Sequence, residues 1–288
     1  MKKLIIPVLT GIGLCLAQMA VHAQEFKEHI SKQFTLQKTA AESLVGVYNI
    51  FGSIKVEGYS GNQVQIEIDK TVTADSEEQL EKGKKEFKLE FEQKPDSLLT
   101  YISYPWNTRP HHYSTHDEWH RDIHYQVRLE ITVKVPFNVN LQVSTVNNGD
   151  IGIKEVYGTL HVNNVNGGIT IVNAKGTTTA HTINGPLTVN YLSVPPDASS
   201  YYTLNGKLDV TYPPSLSAEL EFKSMNGQFY TDFENTQVMP SRIVKTQQKE
   251  GATTLYKLSQ HPDVRVGAGG KTFKFETLNG NIYIKKQQ

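Results

Sequence analysis

Glycine recurs every nine residues through the middle of the chain, at Gly149, Gly158, Gly167, Gly176 and Gly185. Apolar residues follow in fixed register, two, four and seven places after each glycine. They are Ile151, Ile153 and Val156; Leu160, Val162 and Val165; Ile169, Ile171 and Ala174. A weaker unit has Thr178, Ala180 and Ile183, and a clean fifth has Leu187, Val189 and Leu192. A short repeat constrains architecture more than any single motif, because one unit cannot bury its own apolar face and must stack on neighbours. An alternating strand closed by a glycine turn predicts an all-β parallel β-solenoid.

Alternate glycines follow asparagine, at Asn148-Gly149, Asn166-Gly167 and Asn184-Gly185. The structural unit is therefore two nonapeptides, about 18 residues, with two kinds of corner. The series continues, with small insertions, at Asn205-Gly206 and Asn226-Gly227, and closes at Asn279-Gly280. Both residue types tolerate the left-handed backbone of a sharp corner. Stacked corners would also let asparagine side chains form a hydrogen-bonded ladder. The competing reading is a meander of hairpins, for which Asn-Gly is a strong signal. The register of the alternate glycines favours the solenoid.

Address comes from the first residues. Met1-Lys2-Lys3, an apolar run from Leu4 to Ala20 and Val21-His22-Ala23 describe a signal peptide over 1–23, cut after Ala23. Leu14 before Cys15 argues against lipidation. Cleavage would remove the single cysteine and leave no disulfide. The whole chain carries 29 basic and 29 acidic residues; without Lys2 and Lys3 the balance is slightly negative. No basic tail suggests nucleic acid, and no later stretch is apolar enough to span a membrane. The expected location is the periplasm or the cell surface.

The remainder reads as a polar leader or cap over 24–43, then one solenoid domain over 44–286. Gly52, Ile54 and Val56 form an early copy of the repeat. Asp75-Ser76-Glu77-Glu78 predicts a short helix over 76–84, with Gly83 weakening its end. Alternating residues predict strands near 87–91, 98–104 and 125–135. The polar segment 232–270 reads as an excursion covering the end of the stack, before a last half-turn at Ile282 and Ile284.

The corners Val146-Asn147-Asn148-Gly149-Asp150-Ile151, Val165-Asn166-Gly167-Gly168-Ile169, Ile183-Asn184-Gly185-Pro186-Leu187, Leu204-Asn205-Gly206-Lys207-Leu208 and Met225-Asn226-Gly227-Gln228-Phe229 resemble the bacterial putative-adhesin family of β-strand repeats. The closing run from Gly269-Gly270 to Asn279-Gly280 is similar to that family's last motif. The likeness covers about residues 44 to 286 and implies a β-helical fold and export. It implies no catalytic residues. The chain departs from the family's pattern at 105–124.

That insert holds His112, His116, His120 and His124, each four apart. On a helix they would lie about 6 Å apart and could share a divalent metal, with Asp117 and Asp122 orienting the rings. On a strand the same spacing is about 13 Å, too far for one ion. Metal binding thus requires a helical or looped insert; the plainer reading is an exposed, aromatic-rich loop. A carbohydrate-active enzyme would need stacked carboxylates. The positions after the corner glycines (Asp150, Thr159, Gly168, Thr177, Pro186, Lys207, Gln228, Asn281) form no such column. Scattered tyrosines, among them Tyr191, Tyr201, Tyr212 and Tyr230, read as packing rather than as a glycan-stacking platform. The sequence reading is a non-enzymatic, exported scaffold without a cofactor, whose partner is a cell-envelope component, a glycan or another protein. A periplasmic metal-binding or sensing module is the alternative, and a carbohydrate-active enzyme the third.

Overall fold

The computed structural model describes residues 24–112, 122–240, 242–250, 253–261 and 263–288. The proposed signal peptide lies outside the described residues, as do His116 and His120 of the insert. Among the described residues the fold is all-β, with one α-helix at Glu77–Glu86 and a 3-10 turn at Ala40–Glu42. A ten-stranded and an eleven-stranded sheet face each other, and a separate two-stranded ribbon pairs Arg242–Glu250 with Thr253–His261.

The chain alternates between the sheets, one tier at a time. A strand in the eleven-stranded sheet crosses an Asn-Gly corner into a strand of the ten-stranded sheet. Asn140–Ser144, Leu160–Asn163, Thr178–Asn184 and Ser200–Asn205 run parallel in one sheet. Ile151–Lys154, Ile169–Ala174, Leu187–Tyr191 and Leu208–Tyr212 run parallel in the other. The register keeps chemically similar residues in columns: Ile54 pairs Ile151, Ile151 pairs Ile169, Ile169 pairs Leu187 and Leu187 pairs Leu208. All five are essentially inaccessible to solvent. Burial on one face with solvent on the other is what enforces this register, since a one-residue slip would expose the whole column.

The sheets are mixed rather than wholly parallel. At one end Gln63–Ala74 runs antiparallel to Tyr125–Pro136, and Gln24–Thr35 antiparallel to Gln63–Ala74. Residues 24–35, read from sequence as a polar leader, are thus a full edge strand. Its charged, mostly exposed side chains blunt that edge. At the other end Asp263–Val266 runs antiparallel to Ala218–Asn226, and Thr236–Val238 antiparallel to Asp263–Val266. Parallel stacking thus ends by reversing chain direction in both sheets at the first end but only in the eleven-stranded sheet at the second, where the ten-stranded sheet closes on Phe229–Thr231, parallel to Ile282–Lys286.

Sequence order and stacking order diverge near the C-terminus. Thr272–Asn279 lies between Ser200–Asn205 and Ala218–Asn226, and Ile282–Lys286 between Leu208–Tyr212 and Phe229–Thr231. The last tier in sequence is an interior tier of the stack, not its end. The apolar repeat breaks at its third position in three units: Val165 and Ile183 are only half-buried and Leu192 is 42% exposed, while the preceding Asn164, Thr182 and Tyr191 are buried.

The helix begins where the sequence placed it. The Ser76 hydroxyl accepts the Gln79 N–H at 3.3 Å, with Glu77 and Glu78 in the first turn and Lys84 and Lys85 in the last, each sign suiting the helix dipole. Gly83 serves packing: a Cβ there would stand 2.7 Å from the Tyr125 ring. The helix lies against Gln63–Ala74 through buried Leu80.

Candidate functional site

The Asn-Gly corners stack into one edge, held by three parallel ladders. In the first, side-chain amides bond tier to tier: Asn166 to Asn147 at 2.8 Å, Asn184 to Asn166 at 2.8 Å, and Asn205 to Asn184 at 2.9 Å. It continues from Asn279 to Asn205 at 2.7 Å and from Asn226 to Asn279 at 2.8 Å. In each bond the Nδ2 donates to the next Oδ1.

The second ladder is glycine. A Cβ on Gly149 would fall 2.1 Å from the carbonyl oxygen of Gly52, on Gly167 2.1 Å from that of Gly149, and on Gly185 2.3 Å from that of Gly167. The same holds for Gly206 on Gly185 at 2.0 Å, Gly280 on Gly206 at 1.9 Å, and Gly227 on Gly280 at 1.8 Å. Left-handed backbone is not the cause at these corners: of the glycines in this column only Gly52 has positive φ, at 109°. Close approach of one tier's backbone to the next demands the missing side chain.

The third ladder is buried hydroxyl. Thr182 donates to the Gly167 carbonyl at 2.8 Å, Thr203 to that of Gly185 at 2.9 Å, and Thr145 to that of Gly52 at 2.9 Å. Asn164 serves Gly149 in the same way at 3.0 Å. The carbonyls aimed at the next tier's glycine are therefore satisfied inside the protein.

One corner departs from this order. Asn147, not Asn148, holds the ladder rung, because the corner carries one extra residue. Asn148 bulges out with φ 55°, an uncommon conformation for a residue with a side chain. Its amide makes no hydrogen bond among the described residues and lines a shallow depression of about 540 Å³ on the outer face of the ten-stranded sheet. Ser53, Lys55, Arg128, Asp150 and Thr170 share that lining. The floor is Gly152, where a Cβ would meet no atom within 4 Å. Missing one outward side chain, the sheet opens a gap between Lys55 and Thr170, the residues paired on either side of Gly152.

Electrostatically the depression is balanced but unevenly engaged. Arg128 is tied to Glu130, its Nε 2.6 Å from Oε1. Burial pushes the Glu130 carboxyl up, yet hydrogen bonds from Ser53 and Arg128 outweigh this and hold it below the usual range. Asp150 accepts the Gly168 N–H at 2.7 Å. Lys55 is exposed and has no ion-pair partner among the described residues.

The insert joins Ser97–Tyr104 to Tyr125–Pro136, and its first described residues lie beside the Gly52 corner, where Trp106 meets Phe51 and Thr108 bonds the Tyr48 carbonyl. Its described ends are anchored. Thr108 accepts the Ile102 N–H through Oγ1 at 2.9 Å and donates its own N–H to the Ile102 carbonyl at 2.8 Å. Arg109 pairs with Glu92 at 2.8 Å. Trp106 meets Phe51 edge-on at 6.1 Å, two residues from Ser53 of the depression. His112 lies at the entry, and His124 at the exit bonds Asp122 at 3.0 Å. Among the described residues no group of three histidine, cysteine or acidic side chains is placed to hold a metal ion, and no helix is long and apolar enough to cross a membrane.

The tyrosines divide by position. Tyr191, Tyr201 and Tyr212 are buried, their hydroxyls joined at 2.6 Å (Tyr191 to Tyr201) and 3.1 Å (Tyr212 to Tyr201). Tyr230 and Tyr283 stack at 5.0 Å on the outer face of the ten-stranded sheet. The bulged Asn148 and the gap at Gly152 were missed in the sequence. Their available signals were the doubled asparagine at 147–148 and a glycine at an outward strand position.

No family model and no curated protein matches the chain. Among solved structures, a putative cell adhesion protein from Clostridium sporogenes is similar over 91% of this chain and 100% of its own, at 12% identity and a TM-score of 0.42. A putative adhesin from Bacteroides fragilis is similar over 90% of this chain and 97% of its own, at 11% identity and a TM-score of 0.37. A putative lipid binding protein from Parabacteroides distasonis covers the same shares, at 10% identity and a TM-score of 0.34.

Proposed function

We propose that the protein is an exported, non-enzymatic β-solenoid scaffold whose Asn-Gly edge presents a rigid interaction surface at the cell envelope. The observation that carries this reading is the triple ladder. Amide, glycine and hydroxyl columns lock one edge from the Gly52 corner to Gly227, and the insert 105–124 leaves from the end of that edge. Such an edge holds side chains at fixed spacing without further ordering cost on binding, which favours recognition over a moving catalytic site. Protease treatment of intact cells, with lysed cells as control, tests it. Loss of the chain from intact cells is the outcome expected of a surface scaffold. A chain that resists until the outer membrane is opened would restrict it to the periplasm, and one found in the cytoplasm would sink the reading.

The second reading is divalent-metal binding through His112, His116, His120 and His124. In its favour, Asp122 bonds the His124 ring as a carboxylate that orients a metal-ligating imidazole does. Metal content of the purified chain, compared with the His116→Ala/His120→Ala variant, decides it: equal content in both would end this reading.

A further inference from the structure

We infer that the depression over Gly152 is a binding subsite for one unit of a saccharide carrying a carboxylate, an acidic sugar of the uronate type. The inference rests on the scaffold reading for its setting, but its chemistry stands on the depression alone.

The first observation is space. Every other outward position of this column carries a side chain from Lys55 to Thr188; Gly152 does not, and nothing fills the gap. The exposed backbone and the walls beside it make a flat floor, on which the C–H face of a sugar ring fits. The second is the bulge. One extra residue in the corner moves Asn148 out of the amide ladder and turns an unbonded amide toward the gap. Bulges and left-handed side-chain residues are retained where they aim a group at a ligand.

The third is the mixture of groups. Sugar hydroxyls both donate and accept. The Thr170 hydroxyl and the Asn148 amide can both donate and accept, while the Asp150 carboxylate and the Ser53 oxygen, whose proton goes to Glu130, add acceptors on the same rim. An acidic peptide fits this rim less well. An extended peptide gains its main-chain hydrogen bonds at a sheet edge, whereas this is a sheet face. The fourth is the charge. Arg128 is already held by Glu130, but Lys55 is unpaired and stands at the mouth. A carboxylate on the ligand would complete it, and this selects an acidic unit over a neutral one.

Isotope-labelled full chain is titrated with tetragalacturonate and, separately, with its methyl ester, following amide shifts. The expected result is shifts centred on residues 52–55, 148–152 and 166–170. Binding of the acid should be stronger than that of the ester by about fivefold, the size expected of one solvent-exposed ion pair. Lys55→Gln should equalise the two ligands. Gly152→Leu should abolish both while leaving the thermal midpoint unchanged, since the added side chain points into open space. Absence of binding, or binding that Gly152→Leu leaves intact, overturns the subsite. Equal competition by polyglutamate overturns the saccharide assignment in favour of acidic peptide. Because the purified chain is used, a failed titration leaves the envelope-scaffold reading standing, and a cytoplasmic location leaves the subsite standing.

Discussion

Two halves of the stack share one edge and differ in what fills them. In the tiers spanning 140–174 the core is aliphatic: Val143, Val162, Ile153 and Ile171 meet between the sheets. In the tiers spanning 200–286 aromatic side chains join aliphatic ones such as Leu208, Val210, Ile282 and Ile284. The column that runs Val143, Val162, Ala180 continues as Tyr201, Phe275 and Phe222. Tyr191 stacks on Tyr212 at 5.1 Å, Tyr212 on Phe273 at 5.6 Å, and Tyr201 on Phe275 at 5.0 Å. The extra room comes from the edge opposite the asparagines. There the connections 192–199 and 213–217, each with two prolines, replace the shorter 175–177. The ladder edge keeps its two-residue corners throughout these later tiers. One edge sets the spacing of tiers, and the other sets their width.

If that division holds, deleting core volume costs more in the wide half. Phe275→Ala should lose about 3–5 kcal/mol of unfolding free energy, against about 2 kcal/mol for Val162→Ala in the same column. Urea denaturation of both variants measures it, and equal losses would break the comparison. The shared edge predicts the opposite pattern. Gly167→Ala and Gly206→Ala each drive a Cβ into the preceding tier's carbonyl oxygen, at 2.1 and 2.0 Å. Both should cost about 3 kcal/mol, alike in the two halves, because neither backbone can retreat without breaking a ladder. A large difference between them would show that the edge is not uniform.

The aromatic half also carries a titration that the aliphatic half lacks. Burial pushes the Tyr191 hydroxyl up to about 12, and those of Tyr201 and Tyr212 well above their ordinary value. The unfolded chain ionises first, near 10, so the native state holds protons that the unfolded state has lost. This stability is full below about pH 10 and drains as pH rises through the folded values. Alkaline hydrogen exchange should open 200–212 before 140–174. Tyr201→Phe, which leaves Tyr191 and Tyr212 without their common partner, should cost about 1–3 kcal/mol at neutral pH. The smallest effect is expected from Asn184→Ala. Two exposed amide bonds are lost and water replaces them, so thermal unfolding should register about 1 kcal/mol. A far larger loss would mean that the amide ladder, rather than the glycine column, sets the edge.

Much of the repeat was legible because stacking rewards identity. Residues one tier apart occupy the same environment, so Ile151, Ile169 and Leu187 repeat in the sequence as they repeat in space. The helix at Glu77–Glu86 was legible because Ser76 and its acidic neighbours satisfy a local need. Non-local facts were not legible. Gly83 reads as a flaw in a helix until the Tyr125 ring is seen against it. Gly149 and Asn148 suggest a left-handed pair, yet the glycine answers to the Gly52 carbonyl and only the asparagine is left-handed. The insertion of Thr272–Lys286 inside the stack, and the reversal of direction at both ends, leave no periodic trace.

The sequence by itself determined the alternation, the asparagine ladder and the all-β class, since each depends on residues near one another in the chain or one tier away. The tertiary structure alone decided which tier lies beside which, how wide each tier is, and where the outer face opens at Gly152. Those outcomes depend on contacts between residues far apart in sequence, such as Gly206 against Gly280 or Lys55 beside Gly152, and no local pattern encodes such a neighbour.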